Sequence, residues 1–122
     1  MENIITWFEI PVTNMDRART FYSEILQIEL TEIEEGGYTM VMFPFNGENV
    51  SGTLVQASDQ NANPSANGVH IFLNAGDNLQ AALDRVEKAG GEIATEILEI
   101  ASGVVASIID SEGNKVGLFA QA

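Results

Sequence analysis

The chain says nearly the same thing twice. Between Trp7 and Gln56 it runs WFEIP, then MDRARTFYSEIL, then YTMVMF, a turn NGEN and VSGTLVQA. Between His70 and Gln121 it runs HIFLN, LQAALDRVEKAG, VVASIID, a turn SEGN and KVGLFAQA. Each copy reads as β-α-β-β-β, and one helix can cover only one face of its sheet. Two such units in tandem predict an α+β protein whose sheets join into an open, barrel-like cleft. A site built between copies then draws equivalent positions from each, so the copies can be checked against one another.

The elements follow from local pattern. Residues 4–12 alternate, with Trp7, Glu9 and Pro11 on one face and Phe8, Ile10 and Val12 on the other, which is the period of a half-buried strand. Asn14 supplies an N-cap, and Met15, Ala18, Tyr22 and Ile25, widened by Phe21, recur at helical spacing up to Leu26–Gln27. Strands are expected at 28–33, 38–43 and 50–57. Residues 58–67, SDQNANPSAN, carry no apolar period and read as a polar linker. The second copy opens with a strand over Val69–Ala75. Asn78 then caps a helix with the stripe Leu79, Ala82, Leu83 and Val86, and Gly90-Gly91 closes it. Strands at 92–98, 103–109 and 115–120 complete the copy. The whole chain, 1–122, is thus expected to be one domain with a first module at 4–57 and a second at 68–121.

Composition removes several function classes. The 122 residues suffice for a core, and with no cysteine there is no thiolate nucleophile, zinc–thiolate site or redox relay. Eighteen acids against five bases give a net charge of −13, which repels phosphate backbones and argues against a nucleic-acid partner. Four bases fall in the two helices and only Lys115 in a strand, so little is present to clamp a phosphate. No apolar run approaches a membrane span and the first residues lack the basic start of a secretory signal, so a soluble cytoplasmic protein is expected.

Six residues could carry chemistry. His70 is the sole histidine, so any imidazole acid–base step must use it; parity groups it with Phe72 and Asn74, and the alternative is an imidazole satisfied by one hydrogen bond. Glu9 is an acid in an apolar strand: enclosed, it would be a general base or a counter-ion for a cation; at a strand edge it would simply be wet. Trp7 and Phe72 occupy equivalent faces and could floor a site for a flat ligand, or pack in a core or dimer contact. Ser107 precedes the closing turn. Met40, Met42, Phe43 and Phe45 form an apolar cluster suited equally to an adaptable pocket and to a core. No Ser-His-Asp triad and no phosphate-cradling loop can be assembled.

FEIPVTNMDRARTFYSEIL and DSEGNKVGLF, together with the repeat, make the chain resemble the vicinal oxygen chelate superfamily of glyoxalase I, bleomycin-resistance proteins and extradiol dioxygenases. The resemblance implies the tandem fold, frequent homodimers, and ligand contact at the position of Ser107. It also implies a divalent metal held by one residue from the first and one from the last strand of each copy. Carried onto this chain, with SGTLVQA aligned under VGLFAQA so that Gly52 pairs with Gly117, those positions fall at Trp7, Gly52, His70 and Gly117, of which only the imidazole can bind a metal. No metal ligand set and no cofactor are therefore expected, with a displaced site using Glu9 and His70 the remaining route to a divalent ion. The leading expectation is a protein that binds a small organic molecule between the modules through Trp7, Glu9, His70, Phe72, Asn74 and Ser107, as a carrier or sequestering protein. The competing expectation is a lyase, isomerase or dioxygenase of the glyoxalase type, with Glu9 and His70 as the catalytic pair. A homodimer without a useful pocket is the third.

Overall fold

A computed structural model describes residues 3–122 of the chain. Its elements are β1 (Trp7–Val12), α1 (Met15–Leu26), β2 (Thr31–Glu35), β3 (Tyr38–Met42), β4 (Ser51–Gln56), α2 (Ala57–Gln60), β5 (Phe72–Asn74), α3 (Leu79–Val86), β6 (Glu92–Ile93), β7 (Leu98–Ile100), β8 (Gly103–Ile109) and β9 (Lys115–Ala120). The first sheet has the order β1-β4-β3-β2 and the second β5-β9-β8-β6, with β7 also pairing with β8. In both, the first strand lies parallel to the last, and the other pairings are antiparallel. The repeat is therefore a repeat of topology. No ladder joins the two sheets among the described residues, so the barrel stays open.

The helices form where caps and apolar spacing coincide. Asn14 Oδ1 accepts from Arg17 N–H at 3.0 Å, and α1 buries Ala18, Phe21, Tyr22 and Ile25. It ends on Gln27 in the left-handed region (φ 54°), which turns the chain so that Ile28 N–H reaches Ser23 O; the next strand accordingly starts at Thr31, not at residue 28. Asn78 caps α3 by accepting from Ala81 N–H at 3.0 Å, and Leu79, Ala82, Leu83 and Val86 are buried. Both stripes enter one core with Ile10, Val12 and Leu54 of the first sheet and Leu73, Ile108 and Leu118 of the second. Burying such side chains contributes about 1.5–3 kcal/mol each, so the two modules share their main source of stability.

Three further segments depart from the expected boundaries. A four-residue helix, α2, occupies the start of the polar linker. The strand expected at Val69–Ala75 shortens to three residues, leaving Val69 92% exposed. The strand expected at 92–98 splits into β6 and β7, because Ala94 and Thr95 N–H both donate to Ser107 O while Thr95 Oγ1 accepts from Ser107 N–H at 2.8 Å. Two residues opposite one make a bulge and interrupt the ladder.

A polar latch joins the modules. Tyr22 of α1 donates to Asp110 Oδ2 at 2.6 Å, and Asn114 Nδ2 donates to Pro11 O at 2.8 Å. Glu112 Oε1 accepts from Thr13 and Asn14 N–H at 3.0 and 2.9 Å, and its carboxylate takes Arg17 Nε at 2.7 Å. The closing turn of module two thus caps the first helix of module one. No helix among the described residues is long and apolar enough to cross a membrane.

Candidate functional site

Strand register decides which residues share a face. Ile10 lies opposite Leu54 and Leu73 opposite Leu118, and all four are buried. Superposing the modules on those pairs equates Trp7 with His70, Glu9 with Phe72, Thr53 with Gly117 and, one strand on, Met42 with Ser107. The alignment of the two copies by their glycines is therefore wrong by one residue in β4: Thr53, not Gly52, is the partner of Gly117. A slip of one residue exchanges the faces of a strand. Gly52 lies on the core side, where a Cβ would fall 2.5 Å from the Phe8 ring.

The open face of the first sheet carries Trp7 and Glu9. The indole Nε1 donates to Thr53 Oγ1 at 3.3 Å and the ring meets Phe45 edge-on at 5.1 Å. Beside them a cleft of about 430 Å³ runs between the modules. Ile5, Trp7 and Pro11 wall it from one module, and Gly68, Val69, Ile71 and Val116 from the other, with the linker residues Asn63 and Ser65. Glu9 and Lys115 are the charged residues that line it. Sequence reasoning saw Lys115 only as an isolated base. Nothing in a one-dimensional pattern placed β9 and the linker across from β1.

On the second sheet, His70 Nε2 lies 3.2 Å from Ser107 Oγ, and its ring is 4.8 Å from that of Phe72. Phe72 lies over Gly117, where a Cβ would be 2.3 Å from its ring. Asn74 Oδ1 accepts from Gly76 N–H at 2.9 Å, which leaves its amide N–H groups toward the surface. Phe72 and Asn74 line a second cavity of about 590 Å³ with Leu98, Ile100, Val105 and Phe119.

The six expected residues thus divide into two groups. Trp7 and Glu9 border the inter-module cleft; Phe72 and Asn74 border the face of the second sheet, with His70 and Ser107 hydrogen-bonded beside them. Trp7 and Phe72 do not make a common aromatic floor, since each ring has its own neighbour within its module. Glu9 and His70 are not a hydrogen-bonded pair: the imidazole is engaged by Ser107. Glu9 is exposed, so the desolvation on which a general-base role depended is absent.

With the register corrected from Gly52 to Thr53, the four positions at which the resemblance would place a metal are Trp7, Thr53, His70 and Gly117. An indole N–H offers no lone pair, glycine no side chain, and Thr53 Oγ1 already accepts from Trp7. Among the described residues no three His, Asp or Glu side chains gather as a cation-binding group. The donor set does not fit the divalent ion.

The electrostatics concentrate in the latch instead. Burial pushes the Glu112 carboxyl up, but hydrogen bonds from Arg17, Asn14, Ser111 and Thr13 outweigh it and hold the group at about 2. Burial, and after it the charge of Asp110, raises the Tyr22 hydroxyl well above its ordinary value. These groups set inter-module geometry, and through Asn114 and Pro11 the latch adjoins the cleft between the modules.

No curated protein sequence matches this chain. Among solved structures, a glyoxalase/bleomycin resistance protein from Albidiferax ferrireducens is similar at 13% identity and a TM-score of 0.74, over 98% of this chain and 100% of that one. A glyoxalase/bleomycin resistance protein from Streptomyces sp. CB03234 is similar at 21% identity and 0.71, over 94% and 98%. An antibiotic-binding protein from the same Streptomyces is similar at 20% identity and 0.68, over 98% and 97%. These likenesses concern the fold. The profile of the Glyoxalase/Bleomycin resistance protein/Dioxygenase superfamily matches residues 4–118, and with the duplicated β-α-β-β-β topology that places the chain within this superfamily.

Proposed function

We propose that this protein binds a small, largely apolar organic molecule in the cleft between its modules, as a carrier or sequestering protein, and does so without the superfamily's metal. The observation that carries the reading is the cleft itself: about 430 Å³ walled by Ile5, Trp7, Pro11, Val69, Ile71 and Val116, with few charges. Apolar walls with a few placed polar groups are what small-molecule sites look like. Membership in a superfamily with bleomycin-resistance proteins supports it, as does the likeness to a protein described as antibiotic-binding. The metal-free part rests on the donor chemistry of Trp7, Thr53, His70 and Gly117.

Trp7 is the only tryptophan, so its emission reports the cleft directly. Nile red, an uncharged apolar dye, should quench it saturably. Val69→Arg, at a cleft residue 92% exposed, should weaken that quenching without disturbing the core. Leu98→Arg, on the second sheet's cavity, should leave it unchanged. Quenching lost in Leu98→Arg and kept in Val69→Arg would move the site to the second sheet. Elemental analysis of protein purified without chelator should find no stoichiometric Zn, Mn, Ni or Fe; one ion per chain would overturn the metal-free reading.

The assembly that goes with this function is a homodimer. Phe72, Leu98 and Ile100 on the open face of the second sheet are 53, 62 and 42% exposed, and a contiguous apolar face of this kind marks an interaction surface. Light scattering should give the mass of two chains, and a monomer at micromolar concentration would refute it. A second reading, a lyase or isomerase, is favoured by the Ser107–His70 contact at 3.2 Å, a pair able to relay a proton. It requires that His70→Ala abolish a turnover that the binding reading does not need.

A further inference from the structure

In a chain with 18 acids and five bases, the placement of each base is informative. Arg17 is ion-paired with Glu112 at 2.7 Å. Arg19 donates to Leu30 O at 2.7 Å, and Arg85 donates to Ile25 O at 2.8 and 3.2 Å. Lys88 lies in the turn after α3 and borders none of the cavities described. Lys115 is the base that lines a cavity, and the same cavity is lined by Glu9. The two are not paired with each other: among the described residues the one salt bridge is Arg17–Glu112. Glu9 and Lys115 sit on opposite modules, Glu9 on the edge strand of the first sheet and Lys115 at the start of the last strand of the second.

An acid and a base, each unneutralised and facing one apolar-walled cleft from opposite sides, complement a molecule that carries both charges. A purely anionic ligand would meet the repulsion of a chain at −13 with only Lys115 to offset it. A purely cationic one would satisfy Glu9 but be opposed by Lys115. We propose that the cleft's ligand is amphoteric: an apolar body with an ammonium group set against Glu9 and a carboxylate or similar anion set against Lys115. This deepens the reading that the cleft binds a small molecule and rests on it.

Phenylalanine, phenethylamine and 3-phenylpropanoate share a phenyl body and differ in charge, and none is excited at wavelengths selective for Trp7. Titrated against Trp7 emission at low ionic strength, phenylalanine should bind about tenfold more tightly than either relative, an advantage that 0.5 M salt reduces. Glu9→Gln should abolish its advantage over 3-phenylpropanoate, and Lys115→Met its advantage over phenethylamine. Glu9 is exposed and Lys115 half-buried, and neither side chain is ion-paired, so both variants should melt with the parent protein; that melting curve is run alongside. Equal affinity for all three probes, or variants indistinguishable from the parent, overturns the amphoteric assignment and leaves the cleft reading intact. Absence of binding by all three while Nile red still quenches does the same. Absence of quenching by every probe, Nile red included, overturns both.

Discussion

The two modules share a topology and a core but not an open face. In the first, Trp7 bonds across to Thr53, and Ser51 through Val55 of β4 are all buried. In the second, the equivalent positions carry His70 and Gly117, and Phe72 stands 53% exposed over the glycine. Buried pairs persist (Ile10 with Leu54, Leu73 with Leu118) while the open faces diverge to Trp7, Glu9, Thr53 and Met42 against His70, Phe72, Gly117 and Ser107. The core side of a strand must interdigitate with a helix stripe and is constrained by packing. The other side faces ligand, solvent or a partner, so it is where one copy can change without the other.

The hardest test of that equivalence is in the core. If Leu54 and Leu118 are true counterparts, truncating either to Ala should cost a similar 2–5 kcal/mol, because both are fully buried and central to the shared cluster. Urea unfolding should remain a single transition in both variants. A cost below about 1 kcal/mol at one position, or two transitions, would show that the modules do not share one core.

A smaller effect separates the latch from the core. Glu112 is held at about 2, against 4.5 for an ordinary glutamate, so its folded state binds a proton less readily than its unfolded state. The resulting stability is present in full above pH 4.5 and is lost as pH falls toward 2. Its partner Arg17 is exposed, and solvent screening of the pair leaves a contribution on the order of 1–2 kcal/mol. Glu112→Gln should therefore be less stable at neutral pH and should show a flatter profile between pH 5 and 2. If it tracks the parent protein across that range, the turn does not latch the modules electrostatically.

Much of this was legible in the residues. The two helix stripes and their Asn14 and Asn78 caps appear where spacing and capping chemistry put them. The closing hairpin matches too: the strands expected at 103–109 and 115–120 are the observed Gly103–Ile109 and Lys115–Ala120, two short apolar, β-branched runs bounded by the turn Ser111-Glu112-Gly113-Asn114. The register between copies was not legible. Two glycines, Gly52 and Gly117, drew the alignment together although only leucine burial determines the faces. Nor could sequence show that Glu112 caps a helix 95 residues away, or that Thr95 would take Ser107's N–H and break a strand. Both are tertiary contacts between segments that are individually ordinary. The candidate site suffered most, since five of its six residues were chosen by parity within a module and Ser107 by resemblance, and neither says where one sheet stands relative to another.

The two glycines offer the finest test of the difference between faces. At Gly52 an added Cβ would lie 2.5 Å from Phe8's ring and equally close to its carbonyl oxygen, on the core side, where backbone cannot yield. At Gly117 the nearest atoms all belong to the Phe72 ring, a side chain that is 53% exposed and so has solvent to move into. Gly52→Ala should therefore cost about 2 kcal/mol, in the range of overpacked cores, and Gly117→Ala only about 0.5 kcal/mol. Gly117→Ala should also carry a local signature that Gly52→Ala lacks: displacement of Phe72 from His70, whose rings are 4.8 Å apart, visible as a loss of ring-current shift on the imidazole protons. Equal costs at the two positions would mean that the second face is as tightly packed as the first, and the contrast between the modules would then lie in chemistry alone.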